Sequence, residues 1–444
     1  MKQVPIGLVG YGTVGQGVAA VLDRNGEMIA SKLGTRIELK YIVEKYLDRP
    51  FDVTPPSTAK LTDQLQPLLD DKEVPVAIEL VGGTTVAKTI VEELLKSGKH
   101  VVTANKALLA HHGRELFALA RQHGRCIGFE ASCAGGIPVI EAIRRGLAAN
   151  QINALYGIVN GTCNYILSAM TREKKSYAQA LKEAQAAGFA EADPTLDVNG
   201  TDSAHKLAIL SSLAFGQAVD LSAISIEGID KIDLADLNTA EALGYVMKLL
   251  AIAVKEDGGI SVRVHPAFIP NSDPLAWVSG PFNAVSVYGN AVGHTMFYGR
   301  GAGRMPTASA VLSDVIDIAM GNGPQTFERL CVLPDMTAPA TIKPIEQITS
   351  RYYLRLMVMD KPGVLARFTE VFGRHEISIS AVQQREGQVG ELRGQPIVPV
   401  VVLTHQAKEG NIRQAINEIA KLDFCAKRPV CIRVVDEYPE WAKT

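Results

Sequence analysis

A glycine-rich turn near the amino terminus limits what this 444-residue chain can fold into more than any other feature. The apolar run Val4–Val9 leads into Gly10-Tyr-Gly-Thr-Val-Gly15, and an apolar-periodic segment, Val18–Ile29, follows. A Gly-x-Gly-x-x-Gly turn between a strand and a helix favours dinucleotide binding over a purely structural turn, because the helix start can receive a pyrophosphate. The candidate cofactor contacts in this turn are Gly10, Gly12, Thr13, Val14 and Gly15.

Strand-like and helix-like patterns then alternate along the chain. Strands are predicted at residues 37–43, 76–81, 100–103 and 125–129, and helices at 84–96 and 105–123. This alternation is typical of a doubly wound parallel sheet of the α/β class. Lys106 follows a predicted strand end, which is the edge where such sheets bind ligands, so it is a candidate site residue. Lys88, Lys96 and Lys99 are expected to be solvated.

The second predicted strand ends in Glu44-Lys45. An acidic residue at this position usually holds the ribose diol of NAD, whereas a basic residue favours the extra phosphate of NADP. Because both residue types stand side by side, the sequence leaves the choice between NAD and NADP open.

Residues 188–210 concentrate acidic groups before a predicted helix. The carboxylates and the lysine of this stretch are Glu191, Asp193, Asp197, Asp202 and Lys206. The helix is predicted to start near Thr201, with Thr201 as its cap. Asp202 and Lys206 then share one helix face, and a carboxylate that sets the pKa and direction of an amine suits proton transfer. The alternative interpretation is a surface salt bridge beside a solvated acidic loop.

A second glycine-rich loop, Glu130-Ala-Ser-Cys-Ala-Gly-Gly-Ile-Pro138, precedes another predicted helix. Its backbone can turn several carbonyl groups towards one point, as a hard cation requires. From the residues alone, a plain hinge between two domains is the favoured interpretation, with the cation site as the alternative.

The remaining chain predicts two further domains. Helices and β-like runs over residues 136–325 indicate an α+β substrate domain, and a helix near 305–320 is expected to complete the dinucleotide-binding domain over 1–135. Residues 326–348 are predicted to be a linker. Residues 349–436 follow a β-α-β-β-α-β order, which predicts a ferredoxin-like domain.

Composition excludes several classes of protein. A net charge of −2 gives no reason to expect a nucleic-acid partner or an acidic membrane surface. No apolar run reaches the length of a membrane span, and the amino terminus lacks a signal-peptide pattern, so a cytoplasmic location is expected. The six cysteines form no Cys-x-x-Cys pair, which argues against a zinc ribbon.

Taken together, the motifs resemble those of bacterial homoserine dehydrogenase with a carboxyl-terminal ACT regulatory domain. The resemblance covers essentially the whole chain. It is carried by the first glycine turn, Thr103-Ala-Asn-Lys-Ala107, the loop 130–138, Asn160-Gly-Thr-Cys-Asn-Tyr-Ile-Leu167 and, above all, residues 188–206. It implies reversible reduction of L-aspartate 4-semialdehyde to L-homoserine with NADH or NADPH, on the route to threonine, methionine and isoleucine.

The resemblance also implies roles for individual residues. Lys206 matches the acid/base lysine, Asp202 its partner in the substrate site, Lys106 the lysine near substrate and nicotinamide, and Glu191 the homoserine-binding acid, with Asp197 in support. Gly188 and Gly303 match cofactor contacts. Glu130 and the backbone carbonyls of Cys133, Gly135 and Ile137 match a sodium site. The helix start at Asp360, Gly363, Val364 and Leu365 matches a threonine-binding site. A homodimer or homotetramer is expected. Many relatives carry an arginine where Glu44-Lys45 stands, which argues against a strict preference for NADP.

Three rival functions remain at the level of sequence. An aldehyde dehydrogenase would use Cys133 or Cys163 as a thiol nucleophile, although neither has an obvious paired base in the sequence. A non-catalytic amino-acid sensor would have lost its front-end activity, yet Lys106, Asp202 and Lys206 are all present. A reductase of another amino-acid semialdehyde would use the same scaffold.

Overall fold

The computed structural model describes residues 2–384 and 389–439. Its amino-terminal part is a six-stranded parallel sheet in the order β3-β2-β1-β4-β5-β6. The strands are β1 (Lys2–Val9), β2 (Thr35–Val43), β3 (Lys60–Thr62), β4 (Val76–Glu79), β5 (His100–Thr103) and β6 (Ile127–Gly128). The helices between them are α1 (Thr13–Leu33), α2 (Gln66–Asp70), α3 (Val86–Lys96) and α4 (Lys106–Gln122). This strand order confirms the predicted doubly wound sheet.

The second part contains most of the helices. They are α5 (Val139–Glu141), α6 (Gly161–Glu173), α7 (Tyr177–Ala186), α8 (Thr195–Val198), α9 (Thr201–Phe215), α10 (Leu234–Ala242), α11 (Arg304–Ala319) and α12 (Asn322–Arg329). Its strands are β7 (Ile152–Ile158), β8 (Ser225–Ile226), β9 (Tyr245–Glu256), β10 (Gly259–Pro270), β11 (Phe282–Gly289) and β12 (Gly293–Arg300). Helix α11 returns to the first sheet and packs so closely on α1 that a Cβ atom at Gly17 would lie 2.5 Å from the carbonyl oxygen of Arg304.

The third part has the predicted β-α-β-β-α-β order. Its elements are β13 (Thr349–Met359), α13 (Val364–Arg374), β14 (Ile379–Gln384), β15 (Gly390–Leu392), β16 (Gln395–Thr404), β17 (Ala407–Lys408), α14 (Glu409–Ile419) and β18 (Cys425–Val434). The main strands are arranged β18-β13-β16-β14, an antiparallel order in which the first and last strands are neighbours. This arrangement confirms the ferredoxin-like fold.

The second and third parts share one continuous sheet. Strand β18 runs parallel to β10, where Ala267 faces Arg433, so the path of paired strands reads β12-β11-β7-β9-β10-β18-β13-β16-β14. The backbone N–H of Val435 also donates to the carbonyl of Phe268 at 2.8 Å. The carboxyl-terminal domain is therefore joined to the substrate domain by backbone pairing as well as by the chain itself.

Several local predictions were wrong. Helix α12 extends to Arg329 and so overlaps the predicted linker over residues 326–348. The long strand β9 was missed because it is apolar on both faces. Thr201 does not cap α9: Gly200 occupies the cap with φ of 89°, and Thr201 is the first helical residue. Lys99 is not solvated but 1% exposed, and its ammonium donates to the carbonyls of Asp71 and Val74.

Candidate active site

Two helix starts bring three charged side chains together. Helix α4 begins at Lys106, directly after β5, because the side chain of Asn105 accepts from the backbone N–H of Leu108 at 3.0 Å. Helix α9 places Asp202 and Lys206 one turn apart, and their ion pair measures 2.7 Å between Oδ2 and Nζ. The Nζ atom of Lys106 lies 3.0 Å from the other oxygen, Asp202 Oδ1. The predicted grouping of these three side chains is what the structure contains.

Asn160 holds the carboxylates of this cluster in place. Its amide nitrogen donates to Asp202 Oδ2 at 2.8 Å and to Asp197 Oδ1 at 2.7 Å. Its amide oxygen caps α6 by accepting from the N–H of Cys163 at 2.8 Å. In the sequence, Asn160 was named only as the first residue of a motif that carries the resemblance, without a role of its own. Its place at a strand end, followed by a helix, is the signal that would have marked it as a candidate.

The cluster keeps its charges because each carboxylate oxygen of Asp202 meets a cation. Burial by itself would raise the pKa of Asp202, but Lys206 and Lys106 outweigh it and hold this pKa well below its usual range. The charge of Asp202 in turn raises the pKa of Lys106. Among the described residues no lysine forms an ion pair with Asp197, and burial raises the pKa of this carboxyl group. The site therefore combines one firmly ionised carboxylate with a second, more weakly acidic one.

The other residues predicted from this stretch lie outside the cluster. Glu191 is exposed, and its carboxylate has no hydrogen bond or ion pair within the described part of the chain. Asp193 is also exposed and accepts from the N–H of Thr195 at 3.1 Å, as a turn residue does. His205 faces away from Lys206 and packs its ring against His111, with ring centroids 5.4 Å apart. This contact identifies His205 as a packing residue.

The amino-terminal glycine turn has the geometry of a phosphate cradle. Gly10 has φ of 97°, and a Cβ atom at Gly15 would lie 2.3 Å from the carbonyl oxygen of Gly10. A Cβ atom at Gly12 would meet no described atom within 4 Å, which leaves that face of the turn open. Thr13 and Val14 form the first turn of α1, where N–H groups attract anions, and no described side chain caps it. These residues fit a dinucleotide.

Glu44 is engaged by the glycine turn itself. Its Oε2 atom accepts from the N–H of Tyr11 and from Arg49, both at 2.8 Å, and its Oε1 atom accepts from the N–H of Tyr46 at 3.1 Å. Lys45 lies over the ring of Tyr46, 5.4 Å from the centroid. Arg49 is a candidate cofactor residue that the sequence analysis missed, because it lies in an irregular segment five positions after Glu44.

Two further glycines predicted to contact the cofactor occupy helix boundaries. Gly188 follows α7 with φ of 74°, and Gly303 immediately precedes α11 with φ of 128°. Both conformations disfavour residues with a side chain, so the backbone shape alone accounts for glycine at these two positions.

The loop 130–138 buries a carboxylate beside another carboxylate. Glu130 is 5% exposed and accepts from the N–H groups of Ile140 and Glu141 at 2.9 and 2.7 Å, while its own N–H donates to Asp314 at 2.8 Å. Burial, with a smaller contribution from Asp314, raises the pKa of Glu130 to about 8. Cys133, Gly135 and Ile137 follow in the same buried loop, where a Cβ atom at Gly135 would lie 2.9 Å from the carbonyl oxygen of Gly301. No cluster of three or more His, Cys, Asp or Glu side chains suited to a metal ion occurs among the described residues.

The cysteines of the site region are poor nucleophiles. Burial raises the pKa of the Cys133 thiol to about 12 and that of Cys163 well above its usual range. The sulfur of Cys163 donates to the carbonyl of Asp197 at 3.2 Å. Because the thiolate is the reactive form, these surroundings oppose the thiol-based rival mechanism.

The predicted regulatory residues lie at the start of α13. Gly363 occupies its amino-terminal cap with φ of 88°, and a Cβ atom there would meet no described neighbour within 4 Å. Asp360 is exposed and accepts from Gln384 at 3.2 Å. Val364 is buried, and Leu365 is 48% exposed.

In the described residues, no helix is both long and apolar enough to cross a membrane.

These features define a nicotinamide-nucleotide-dependent oxidoreductase with a carboxyl-terminal ACT domain. The family model described as "Homoserine dehydrogenase, NAD binding domain" matches residues 10–130, "Homoserine dehydrogenase" matches 138–316, and "ACT domain" matches 352–421. The chain belongs to the homoserine dehydrogenase family, whose members act on CH–OH groups with NAD or NADP.

Relatives and solved structures agree with this assignment. The chain is 45% identical to the homoserine dehydrogenase of Neisseria gonorrhoeae over 97% of this chain and 98% of that protein. It is also 45% identical to the Pseudomonas aeruginosa enzyme, over 98% and 99% of the two chains. The crystal structure of homoserine dehydrogenase from Thiobacillus denitrificans superposes with a TM-score of 0.91 at 42% identity, covering 98% of this chain and 99% of that one.

Proposed function

We propose that Lys206 is the acid/base group with which this homoserine dehydrogenase interconverts L-aspartate 4-semialdehyde and L-homoserine. The observation that carries the proposal is the Lys106–Asp202–Lys206 cluster. When bound, the nicotinamide cofactor supplies or accepts the hydride. The protein must then stabilise the charge that develops on the substrate's carbonyl oxygen and deliver a proton to it.

The hydrogen bonds of Lys206 leave one donor for this task. An ammonium group has three N–H donors. Two are used by Asp202 Oδ2 at 2.7 Å and by the carbonyl of Val159 at 2.6 Å. The third is available to the substrate oxygen, and the two fixed bonds determine its direction. Lys106, held by the same carboxylate, adds positive charge to the site without having to give up its proton.

Substrate recognition is assigned to the acidic residues at the entrance. Asp197 lies beside Asp202 through their shared partner Asn160. Glu191 is exposed in the turn that precedes α8. A free carboxylate in this turn suits the α-ammonium group of the amino-acid substrate, because the ion pair forms only when the substrate binds. In this proposal the acidic entrance selects an amino acid over a simple aldehyde.

We assign the cofactor preference to NADP. Glu44 already accepts from Tyr11 and Arg49, so its carboxylate is committed within the protein. A ribose diol would have to compete for that carboxylate, whereas a ribose phosphate would meet the cationic groups of Arg49 and Lys45. Arginine binds phosphate through two parallel hydrogen bonds, and its side chain here is 40% exposed.

The test is the reduction of L-aspartate 4-semialdehyde by the purified protein, with NADPH and NADH in parallel. Formation of homoserine, with a higher kcat/KM for NADPH, is the expected result. The Lys206→Ala variant should bind NADPH but turn over slowly. If neither cofactor gives homoserine, an assay against other amino-acid semialdehydes would distinguish a different reductase from an amino-acid sensor.

The effector proposed for the ACT domain is threonine. The open helix start at Gly363 offers N–H groups to a carboxylate, and the exposed Asp360 offers a partner for an ammonium group. Threonine should inhibit the wild-type protein, and Asp360→Ala should weaken that inhibition. Asp423→Ala is a matched control, because Asp423 is an exposed acid of the same domain that pairs with Arg367 at 2.8 Å.

A sodium ion and a homo-oligomer complete the proposal. Glu130 and the carbonyls of Cys133, Gly135 and Ile137 would hold the ion, whose charge would compensate the buried carboxylate.

For assembly, strand β14 lies at the end of the sheet path and can pair edge to edge with a second ACT domain. Trp277 and Tyr298 are 70% and 54% exposed on the substrate domain and suit an interface. Light scattering on the purified protein measures the oligomeric state.

A further inference from the structure

The loop that carries the catalytic carboxylates rests on a second segment of the substrate domain. Residues 227–229 pass directly beneath the junction between α8 and α9. A Cβ atom at Gly228 would lie 2.3 Å from the carbonyl oxygen of Val198 and 2.6 Å from the Cα of Asn199. The N–H of Ile229 donates to the same Val198 carbonyl at 2.8 Å. Val198 and Asn199 lie between Asp197 and Asp202, so this segment supports both ends of the acidic site.

The contact is backbone against backbone and leaves no room for adjustment. Gly200, the cap of α9, is also enclosed: a Cβ atom there would lie 3.0 Å from Ile226 and 3.4 Å from the carbonyl oxygen of Glu227. Packed protein interiors transmit small displacements because they contain few voids. A shift of residues 226–229 must therefore move the α8–α9 junction, and with it Asp197 and the first turn of α9.

The ACT domain binds residues 226–229 through Glu227, the one charged residue of that segment. Arg433 of β18 is 5% exposed and binds both oxygens of Glu227, through Nη1 at 2.9 Å and Nη2 at 2.8 Å. The same guanidinium binds both oxygens of Glu409 in α14, at 2.9 and 2.6 Å. Tyr352 and Arg413 donate further hydrogen bonds to Glu409. Glu227 is thus the member of the network that belongs to the substrate domain.

We infer that Glu227 is a positioning residue of the active site, through which Arg433 of the ACT domain fixes the loop that bears Asp197 and Asp202. The inference rests on the proposed roles of those two carboxylates. It also gives the ACT domain a physical route to the reaction: a change at Arg433 or Glu409 reaches the substrate site through residues 227–229, without passing through the cofactor.

Glu227 can be replaced without dismantling the ACT domain. Its side chain is 42% exposed, so truncation leaves no sealed cavity, and Arg433 keeps Glu409 as its partner. Glu227→Ala should raise the KM for aspartate semialdehyde about tenfold and Glu227→Gln about threefold, because the amide retains part of the hydrogen bonding. The dissociation constant of NADPH, measured by fluorescence titration, should stay unchanged in both variants.

Asp233→Asn is the matched control. Asp233 is also a partly exposed carboxylate of the substrate domain that reaches an arginine of the ACT domain, Arg355, at 3.3 Å. Arg355 keeps Asp236 as a partner at 2.6 Å, just as Arg433 keeps Glu409. Asp233→Asn should leave the KM for the semialdehyde within about twofold of the wild-type value. An equal rise in KM in the two kinds of variant would overturn the inference, since it would indicate a general loosening of the domains.

Hydrogen–deuterium exchange provides a readout that does not depend on turnover. Backbone amides of residues 197–203 should exchange faster in Glu227→Ala than in the wild-type protein, and at the wild-type rate in Asp233→Asn. Unchanged exchange in Glu227→Ala would refute the inference even if the variant lost activity. If the wild-type protein did not reduce aspartate semialdehyde, the proposed function would fail, and the exchange measurement would still decide the role of Glu227.

Discussion

Asp202 and Glu130 are buried to nearly the same degree, at 6% and 5% exposed, yet the protein treats their charges in opposite ways. Asp202 has a lysine ammonium on each oxygen and keeps its charge, with a pKa well below the usual range. Within the described part of the chain, Glu130 accepts from backbone N–H groups alone, and it lies near Asp314. Its pKa rises to about 8, chiefly through burial, and that of Asp314 rises to about 7, also through burial.

The difference teaches that the neighbouring charges, and not the depth of burial, determine the ionisation state. At Asp202 the counter-charges come from the protein, so the site is preorganised for a developing negative charge at the substrate. At Glu130 the counter-charge must come from a proton or a bound cation.

Removing the proposed proton donor should have the largest effect. Lys206→Ala should lower kcat about a thousandfold, within the range expected for loss of a general acid. Asp202 would still be paired with Lys106, so the fold and NADPH affinity should persist. Stopped-flow measurement of hydride transfer gives the rate, and NADPH titration is the control. A loss below about tenfold would mean that another group supplies the proton.

Neutralising the shared carboxylate should have the next largest effect. Asp202→Asn leaves two lysines near each other without their common anion, and kcat/KM should fall about a hundredfold. Since Asp202 is the main cause of the raised pKa of Lys106, that pKa should fall in the variant. The alkaline limb of the pH–rate profile should therefore move to lower pH. An unshifted profile would contradict the assigned coupling.

The Glu130–Asp314 pair should affect stability instead of turnover. Both carboxyl pKa values are raised on folding, so the contribution of this pair is fully present below about pH 4 and is lost as the pH rises towards about 8. The free energy of unfolding should therefore fall by several kcal/mol over this pH range unless a cation binds. At about pH 8, replacing choline chloride with sodium chloride should raise the Tm of the wild-type protein.

Glu130→Gln is the control for this prediction. This substitution replaces the carboxylate with an uncharged amide of similar shape. The Tm of the variant should therefore depend less on pH and should not respond to sodium. Asp202 works in the other direction: its stabilising charge is present above the ordinary carboxyl pKa and is lost only in strong acid. Equal Tm values in sodium and choline for the wild-type protein would argue against the proposed ion.

The features predicted correctly are those set by short-range chemistry. The glycine turn, the alternating strands and the i,i+4 spacing of Asp202 and Lys206 each follow from local backbone geometry. The pairing of Lys106 with Asp202 required the family resemblance, because 96 positions separate the two residues in the sequence. No local pattern could show that β18 pairs with β10 or that Arg433 reaches Glu227, since these contacts depend on how two domains pack.

The errors have the same physical origin. Lys99 was expected in solvent because lysine side chains usually are. Its ammonium group instead donates hydrogen bonds to the backbone carbonyls of Asp71 and Val74. Asn160 was not singled out because its acceptors, Asp197 and Asp202, are distant in the sequence. Arg49 was not singled out because it lies in an irregular segment, although its partner Glu44 is only five positions away. In each case the position of a polar side chain depends on a buried hydrogen-bond acceptor, and local sequence patterns do not show where that acceptor lies.

Glu44 is an intermediate case between Asp202 and Glu130 in how its charge is balanced. Replacing its partner Arg49 should have the smallest effect. Glu44 is 7% exposed, and Arg49, its cationic partner among the described residues, is itself 40% exposed and so remains accessible to a ligand. Arg49→Ala should raise the KM for NADPH about threefold to tenfold while changing that for NADH less, because a phosphate loses a charged partner and a diol does not. Arg36→Ala is a suitable control, since Arg36 lies on β2 but pairs with Glu27, away from the glycine turn. Equal changes for both cofactors would show that Arg49 supports only the shape of the turn, through its hydrogen bond to the carbonyl of Tyr11 at 3.0 Å.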